Sequence, residues 1–275
     1  MTVIADQAHI GLATSLGEAA DVPHDWIGLG RLDAGRQTIV LVTDQRDFAR
    51  VSHGRIPSWG AGATFPGSHL IIIRLDGGDP FQTLAHELAH VALHQSVHQR
   101  VPLWFDEGYA VVAAHEYGRF AALRLNLAVA MGRVPELRAL DAALRGTDTE
   151  AESAYALAGS AVAELGRRSR NGQLSEFMAL LRAGLPFDEA VRRGTGLTVD
   201  QFEERWIASV RSHYNWLVWL ATGGMWLIVA LGLSVAAASR KRREAPRRAA
   251  LDQGWPEPVE DDETITIEAV GPPST

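Results

Sequence analysis

The segment TLAHELAHVALHQ, residues 83–95, repeats histidine at every fourth position. It contains neither proline nor glycine, and its apolar residues recur at helical intervals, which predicts a helix with one apolar face. Residues four apart lie on the same face of a helix, so His86 and His90 can present ring nitrogens to one metal ion about 2 Å away. The segment therefore predicts a pair of metal ligands on a single helix.

Glu87 directly follows the first histidine of this pair and completes the pattern H-E-x-x-H. It lies about 100° around the helix from His86, beside the ion but not needed as a ligand. A carboxylate in that place is suited to accept a proton from a metal-bound water. The alternative interpretation is an ordinary helix with histidines on its surface.

Two histidines do not complete a zinc site, so the sequence must supply a third ligand. His94 lies four residues beyond His90, but a rise of about 1.5 Å per residue separates it from His86 by about 12 Å along the axis. One ion cannot reach both His86 and His94. We therefore predict that His94 and His98 are polar residues on the same face of the helix, or that they contact a residue that supports a ligand. A histidine six residues after His90, as in metzincins, is absent because Ser96 occupies that position.

The segment RVPLWFDEGYAVVAAHE, residues 100–116, offers the missing carboxylate. Pro102 separates it from the histidine helix, so the chain can turn and place a second helix against the first. Glu107 is the preferred third ligand, with Asp106 and Glu116 as alternatives, and Asp106 is also suited to accept a hydrogen bond from a ligand histidine. A helix that merely begins with an acidic turn is the competing interpretation.

The succession of HELAH and PLWFDEGYA resembles the gluzincin metallopeptidases, a group that includes thermolysin and the aminopeptidase N enzymes. It is most similar to the peptidase MA-like family of bacterial, often membrane-associated domains. The similarity covers about residues 36–210 and includes PSWGAGATFPGSHLIIIRL before the histidine helix and the helical segment from SAYALAGS to FEERW after it.

This resemblance implies a zinc-dependent peptidase that hydrolyses peptide or protein substrates, with Glu87 as its general base. The Zn²⁺ ligands that it implies are His86, His90 and Glu107. Tyr155 corresponds to a tyrosine that stabilises the oxyanion in relatives, although a buried structural tyrosine is an equal interpretation. The sheet edge next to HLIIIRL is then expected to bind an extended peptide, with His69 as a substrate contact or a surface residue.

The remaining pattern predicts an α+β fold of the zincin type, with a small sheet first and a helical part after it. Buried strands are expected at QTIVLVTD, residues 37–44, and at HLIIIRL, residues 69–75. AHIGLATSLGEAA and DQRDFARVSH are predicted to be short helices, DWIGLGRLDAG a loop, and GRIPSWGAGATFPGS mostly turns. Further helices are predicted at 80–98, 104–117, 119–131, 136–145, 153–170, 173–183, 186–194 and 199–214.

Composition divides the chain into four segments. We predict a weakly patterned N-terminal segment at 1–35, a gluzincin-like metallopeptidase domain at 36–213, a transmembrane helix at 214–239, and a basic, then acidic, disordered tail at 240–275. Residues 214–239 contain no charged side chain and are long enough to cross a bilayer of about 30 Å. A buried core helix is the alternative interpretation of this span.

The charges around the predicted span indicate its orientation. Arginine and lysine dominate residues 240–248, and basic residues near a span favour the cytoplasmic side. We therefore expect a cytoplasmic tail and a domain outside the cytoplasm. The first residues do not have the pattern of a signal peptide, so export would require one that was removed, mis-annotated or replaced, and the opposite orientation is the alternative.

The composition excludes several kinds of site and partner. The chain has no cysteine, which excludes disulfides, thiolate metal sites and a cysteine nucleophile. The net charge is −7, and no basic face precedes the predicted span, so we expect no nucleic-acid partner. The main rival to a peptidase is a non-catalytic, membrane-tethered binding or assembly domain. The presence of Glu87 argues against it, because a purely structural zinc site needs no general base.

Overall fold

The computed structural model describes residues 1–57, 59–116, 134–219, 225–252 and 254. The chain forms two compact units, Met1–Trp219 and Leu220–Thr275. The strands of the first unit are β1 (Thr2–Ile4), β2 (His24–Trp26), β3 (Gly30–Leu32), β4 (Thr38–Val42), β5 (Gly62–Phe65) and β6 (Leu70–Arg74). Its described helices are α1 (Ile10–Ala20), α2 (Gln45–Val51), α3 (Pro80–Ser96), α4 (Leu103–Ala113), α5 (Leu137–Ala143), α6 (Asp148–Arg168), α7 (Leu174–Arg182), α8 (Phe187–Thr195) and α9 (Val199–Trp219).

Four of the strands form one mixed sheet in the order β1-β4-β6-β5. β1, β4 and β6 are parallel, and β5 pairs with β6 in the antiparallel direction. β5 therefore lies at an edge of the sheet, and β6 lies inside it. The predicted strands at 37–44 and 69–75 are confirmed as β4 and β6, and the mixed α+β class is confirmed.

The inner strand β6 is apolar from Leu70 to Ile73 because both faces of the sheet are covered. Ile71 and Ile73 belong to the main core with α1, α3 and the later helices. Ile72 points to the other face, where it packs with Phe48 of α2. Successive side chains of a strand point to opposite faces, so an uninterrupted run of isoleucine suits a strand between two layers.

The helical part of the first unit packs around a cluster of aromatic side chains. Phe105 of α4 lies 5.1 Å from Phe187 and 5.5 Å from Phe177, measured between ring centroids, in edge-to-face geometry. Trp104 contacts Phe187 in the same way at 5.7 Å. These contacts fix the start of α4, which carries the carboxylates of the site.

One prediction of irregular structure was wrong, and a second was incomplete. The segment predicted as a loop at 25–35 contributes to the hairpin of β2 and β3, which turns at Gly28 with a positive φ of 76°. The Gly- and Pro-rich segment at 54–68 contains the edge strand β5. Both strand segments have only three or four residues, too few to produce a clear alternation of apolar and polar positions.

The first 35 residues belong to the same compact unit as the predicted domain, because β1 pairs with β4 along its whole length. The predicted helices beginning at 80, 104, 136, 153, 173, 186 and 199 are confirmed with shifts of a few residues at their ends. The predicted helix at 119–131 lies outside the described residues.

The second unit contains one described helix, α10 (Met225–Asp252). This helix continues past residue 239 into the segment that we predicted to be disordered. In the part of the chain that the structure describes, no helix has both the length and the apolar character needed to cross a membrane. The predicted span at 214–239 includes residues 220–224, which lie outside the described part, so this span stays a prediction.

Candidate metal centre

The histidine helix α3 begins at a well-formed N-terminus. The Asp79 side chain accepts a hydrogen bond from the Phe81 backbone N–H at 2.9 Å, and Pro80 occupies the first helical position. A capping aspartate followed by proline starts a helix at a defined residue. The register of α3 is thereby fixed, and its apolar face packs into the core through Leu84 and Leu88.

Three ligand atoms meet between α3 and α4. His86 Nε2 lies 3.3 Å from His90 Nε2, and Glu107 Oε2 lies 3.5 Å and 3.4 Å from these two nitrogens. A tetrahedral zinc ion with ligands at about 2.0–2.1 Å requires ligand atoms about 3.3–3.4 Å apart. The triangle of atoms thus has the size that zinc needs, and three ligands leave one position open. We call His86, His90 and Glu107 the Glu107 triad.

Each histidine of the Glu107 triad has a carboxylate on its other ring nitrogen. His90 Nδ1 lies 2.7 Å from Asp106 Oδ1, and His86 Nδ1 lies 3.1 Å from Glu116 Oε2. A carboxylate that accepts the Nδ1 proton leaves the Nε2 lone pair free to bind an ion. Asp106 and Glu116, which we considered as alternative ligands, thus orient the two histidines.

Asp106 also contacts a third histidine of the stripe. Its Oδ2 lies 2.9 Å from His94 Nε2. His90, His94 and Asp106 offer a second group of atoms close enough for a metal ion, and we call them the Asp106 triad. His94 thus contacts the carboxylate that lies on the far side of His90, which is one of the two roles that we predicted for His94.

Glu87 lies beside the Glu107 triad and under the edge strand β5. Its side chain is buried, and the Thr64 hydroxyl donates a hydrogen bond of 2.6 Å to Glu87 Oε2. A Cβ atom on Gly62 would lie only 2.5 Å from Glu87 Oε1. The edge strand therefore requires glycine at this position so that the carboxylate can reach the cavity.

Helix α4 is held in place from two sides. The Trp104 backbone N–H at its start donates to Asp141 Oδ1 at 2.8 Å. Gly108 faces the Ala158 backbone of α6, and a side chain there would overlap it. The absence of a side chain at Gly108 therefore relieves crowding between α4 and α6. This close contact between α4 and α6 places Glu107 opposite α3.

Tyr155 of α6 lies next to the Glu107 triad. Its ring centroid is 6.1 Å from that of His86 and 6.0 Å from that of Trp59, both in edge-to-face geometry. Burial, followed by the negative charges of Glu107 and Glu87, raises the pKa of the Tyr155 hydroxyl well above its usual value. The hydroxyl keeps its proton at neutral pH and can donate it in a hydrogen bond, as an oxyanion donor must.

Burial and charge have opposite effects on the ligand residues. Burial disfavours protonation of His86, but hydrogen bonds with Glu107 and Glu116 prevail and raise its pKa to about 10. Burial also disfavours ionisation of Glu107, but the charge of His90 and hydrogen bonds to both histidines lower its pKa to about 2. The carboxylates therefore stabilise positive charge here, which protonated histidines or a cation can supply.

Glu87 differs from these carboxylates because burial dominates. Burial raises its pKa above the usual range, although the positive charges of His90 and His86 and the hydrogen bond from Thr64 oppose this effect. A carboxylate with a raised pKa is a better proton acceptor near neutral pH than an ordinary one.

The site opens into a cavity of about 560 Å³, which exposes all three residues of the Glu107 triad together with Glu87 and Tyr155. Gly62, Ala63 and Thr64 of β5 line the same cavity, so the sheet edge beside the site is β5, the strand next to HLIIIRL in β6. His69 is exposed outside this cavity.

The sequence predicted each residue of the Glu107 triad, and the structure places all three together. It missed Thr64 and Trp59, because both lie in the segment that we predicted to be turns. The only signal in that segment was the short run GATF between glycine and proline. Such a run is too short to identify a strand from its own pattern.

A comparison with curated proteins gives no match. The profile of the Peptidase MA superfamily matches residues 52–212, which include α3, α4 and every residue of the Glu107 triad. This matched region is more than half of the chain. The chain therefore belongs to the Peptidase MA superfamily, as the HELAH and PLWFDEGYA motifs predicted.

Proposed function

We propose that this protein is a zinc-dependent peptidase of the gluzincin type. The observation that carries the proposal is the equal spacing of the three ligand atoms of His86, His90 and Glu107, with Glu87 beside them. Membership of the Peptidase MA superfamily indicates a peptidase and a metal-dependent one. Two imidazole nitrogens and one carboxylate oxygen are a common ligand set of catalytic zinc.

Zinc at the Glu107 triad would supply a Lewis acid that lowers the pKa of water to about 7 and polarises a carbonyl. Glu87 would accept a proton as water attacks the peptide carbonyl, and would return it to the leaving amine. Thr64 holds Glu87 Oε2 and thereby fixes the orientation of this carboxylate. The protonated hydroxyl of Tyr155 would donate a hydrogen bond to the developing oxyanion.

The edge strand β5 provides the surface on which an extended substrate would lie. Its partner β6 occupies one side, and its other edge faces the cavity through Gly62, Ala63 and Thr64. A peptide added to a sheet edge bonds through its backbone, which positions a scissile bond without requiring a particular sequence.

Zinc analysis together with digestion of a peptide library tests the proposal. The zinc-loaded protein is expected to cleave peptides, and Glu87→Gln is expected to keep its zinc while kcat/KM falls about 10²–10⁴-fold. Glu204→Gln, a change to an exposed carboxylate on α9, is the matched control. Full activity of Glu87→Gln would disprove the role of Glu87. No cleavage of any peptide by the zinc-loaded protein would favour the non-catalytic binding domain.

We further propose that residues 214–239 anchor the protein in a membrane, with the tail in the cytoplasm and the catalytic unit outside. The support is the uncharged sequence of this span and the basic residues that follow it. Protease added to intact spheroplasts is expected to digest the catalytic unit. Protection of that unit with loss of the tail would reverse the orientation, and recovery of the whole protein without membranes would disprove the anchor.

A further inference from the structure

Two loops contribute to the lining of the cavity. The first precedes β5 and carries Arg55, and the second follows α5 and carries Arg145. Both arginines are exposed at their surface and both line the cavity that contains the metal centre.

A hydrogen bond joins these two loops. The Trp59 indole Nε1–H donates to the Gly146 carbonyl oxygen at 3.0 Å. Trp59 lies four residues after Arg55, and Gly146 directly follows Arg145. The Trp59 ring also packs edge-to-face against Tyr155. The bond therefore holds both arginine-bearing loops at the cavity, close to a residue of the candidate active site.

The carboxylates that line this cavity are already engaged. Glu87 accepts from Thr64, Asp106 lies between His90 and His94, and Glu107 faces the two ligand histidines. The two arginines differ from these carboxylates because they have no charged partner among the described residues. Within the residues that the structure describes, neither Arg55 nor Arg145 forms an ion pair with a carboxylate, and Arg145 Nη1 donates only to the Asp141 carbonyl oxygen at 3.1 Å. The cavity therefore has positive charge available for a ligand.

We propose that Arg55 and Arg145 form a subsite for a carboxylate of the substrate, either an acidic side chain or the C-terminal carboxylate of the peptide. This inference rests on the proposed peptidase function and names its preferred substrate class. Guanidinium groups bind carboxylates through two parallel hydrogen bonds, which gives direction as well as charge. The apolar lining from Ile56, Pro57 and Leu144 suits the methylene groups of a glutamate side chain.

Matched peptides provide the test. One series replaces a single position at a time by Glu or Gln in an otherwise identical sequence, and another compares a free C-terminal acid with its amide. The wild-type protein is expected to prefer the carboxylate form about tenfold in kcat/KM at one position, since charge-assisted hydrogen bonds are strong but the site is partly solvated. In the double variant Arg55→Gln, Arg145→Gln, the two forms of the peptide are expected to have about equal kcat/KM.

Arg138→Gln is the matched control, because Arg138 is exposed on α5 and does not line the cavity. It is expected to retain the full preference. The series in which the preference appears distinguishes an acidic side chain from a C-terminal carboxylate. Equal cleavage of the paired peptides by the wild-type protein, or a preference that survives in the double variant, would overturn the proposal.

A binding measurement separates this inference from the proposed function. The same paired peptides are titrated into zinc-loaded Glu87→Gln protein, with and without the two arginine substitutions, by calorimetry at low salt. Tighter binding of the carboxylate peptide that disappears in the arginine variants would support the subsite even if the protein cleaves nothing. Equal binding of both peptides would overturn the subsite even if the protein is a peptidase.

Discussion

The two triads share His90 and each combines two histidines with one carboxylate, but their spacings differ. In the Glu107 triad the three ligand atoms are 3.3–3.5 Å apart, as around a tetrahedral zinc ion. In the Asp106 triad one carboxylate contacts each histidine with a different oxygen, at 2.7 and 2.9 Å. These shorter distances are those of charge-assisted hydrogen bonds, which leave no room for an ion between the atoms.

This difference shows that histidines of one helix can serve either as candidate metal ligands or as hydrogen-bond partners of the carboxylate next to such a ligand. A stripe of histidines at every fourth position places His86, His90 and His94 along α3, but the partner helix α4 decides what each of them does. Adjacent residues of α4 have different roles, since Glu107 faces the Nε2 atoms and Asp106 faces His90 Nδ1. The predictions below test this division of roles, from the largest expected effect to the smallest.

Loss of a residue of the Glu107 triad is expected to have the largest effect. His86→Ala and Glu107→Ala each remove one of three ligands, and the bound zinc should fall from about one equivalent to background after dialysis. Elemental analysis of the purified variants measures this directly. His69→Ala is a suitable control, because His69 is exposed outside the cavity. Stoichiometric zinc in Glu107→Ala would identify another third ligand.

Asp106→Asn is expected to weaken zinc binding about 10–100-fold without abolishing it, as is typical when a carboxylate behind a ligand histidine is lost. The amide keeps the shape of the side chain but removes the charge that fixes the Nδ1 proton of His90. Competition with a chelator of known affinity gives the dissociation constant. Glu116→Gln, at a longer distance of 3.1 Å from His86, should have the smaller effect of the two. Complete loss of zinc in Asp106→Asn would instead assign the ion to the Asp106 triad.

Zinc binding is expected to become stronger as the pH rises. Although burial opposes it, the surrounding carboxylates raise the pKa of His86 to about 10 and also raise that of His90, so zinc competes with protons for these nitrogens. Each proton that zinc displaces makes the affinity rise about tenfold per pH unit below that pKa, and the contribution of His86 ends near pH 10. Calorimetry in two buffers of different ionisation enthalpy should detect about one to two protons released per ion. Binding without proton release would contradict the assignment of these nitrogens as ligands.

The sequence was sufficient to predict α3, α4 and the residues of the Glu107 triad, because helical spacing fixes which side chains of α3 share a face. The parallel strands β4 and β6 were predicted because both are continuous apolar runs, which buried strands require. Local spacing was also sufficient to exclude His94 as a ligand beside His86, since the rise along one helix does not depend on the rest of the fold.

The parts that depend on contacts between distant segments could not be predicted. Thr64 bonds to Glu87 only because β5 joins the sheet edge above α3, and β5 has no recognisable pattern of its own. Gly108 packs against α6, which is far from it in sequence, so its role also depends on the tertiary fold. The division of roles between Asp106 and Glu107 likewise depends on how α4 is rotated against α3.

The smallest effect is expected for His94→Gln. His94 bonds to Asp106 Oδ2 and its side chain is 37% exposed, so water can replace part of the lost hydrogen bond. An exposed ion pair is typically worth about 0.2–1 kcal/mol, which corresponds to a change in zinc affinity of at most about fivefold. The same chelator competition that is used for Asp106→Asn measures it, and zinc stoichiometry should stay at about one per chain. A loss of zinc as large as that in His86→Ala would contradict the comparison between the two triads, because it would mean that His94 also binds the ion.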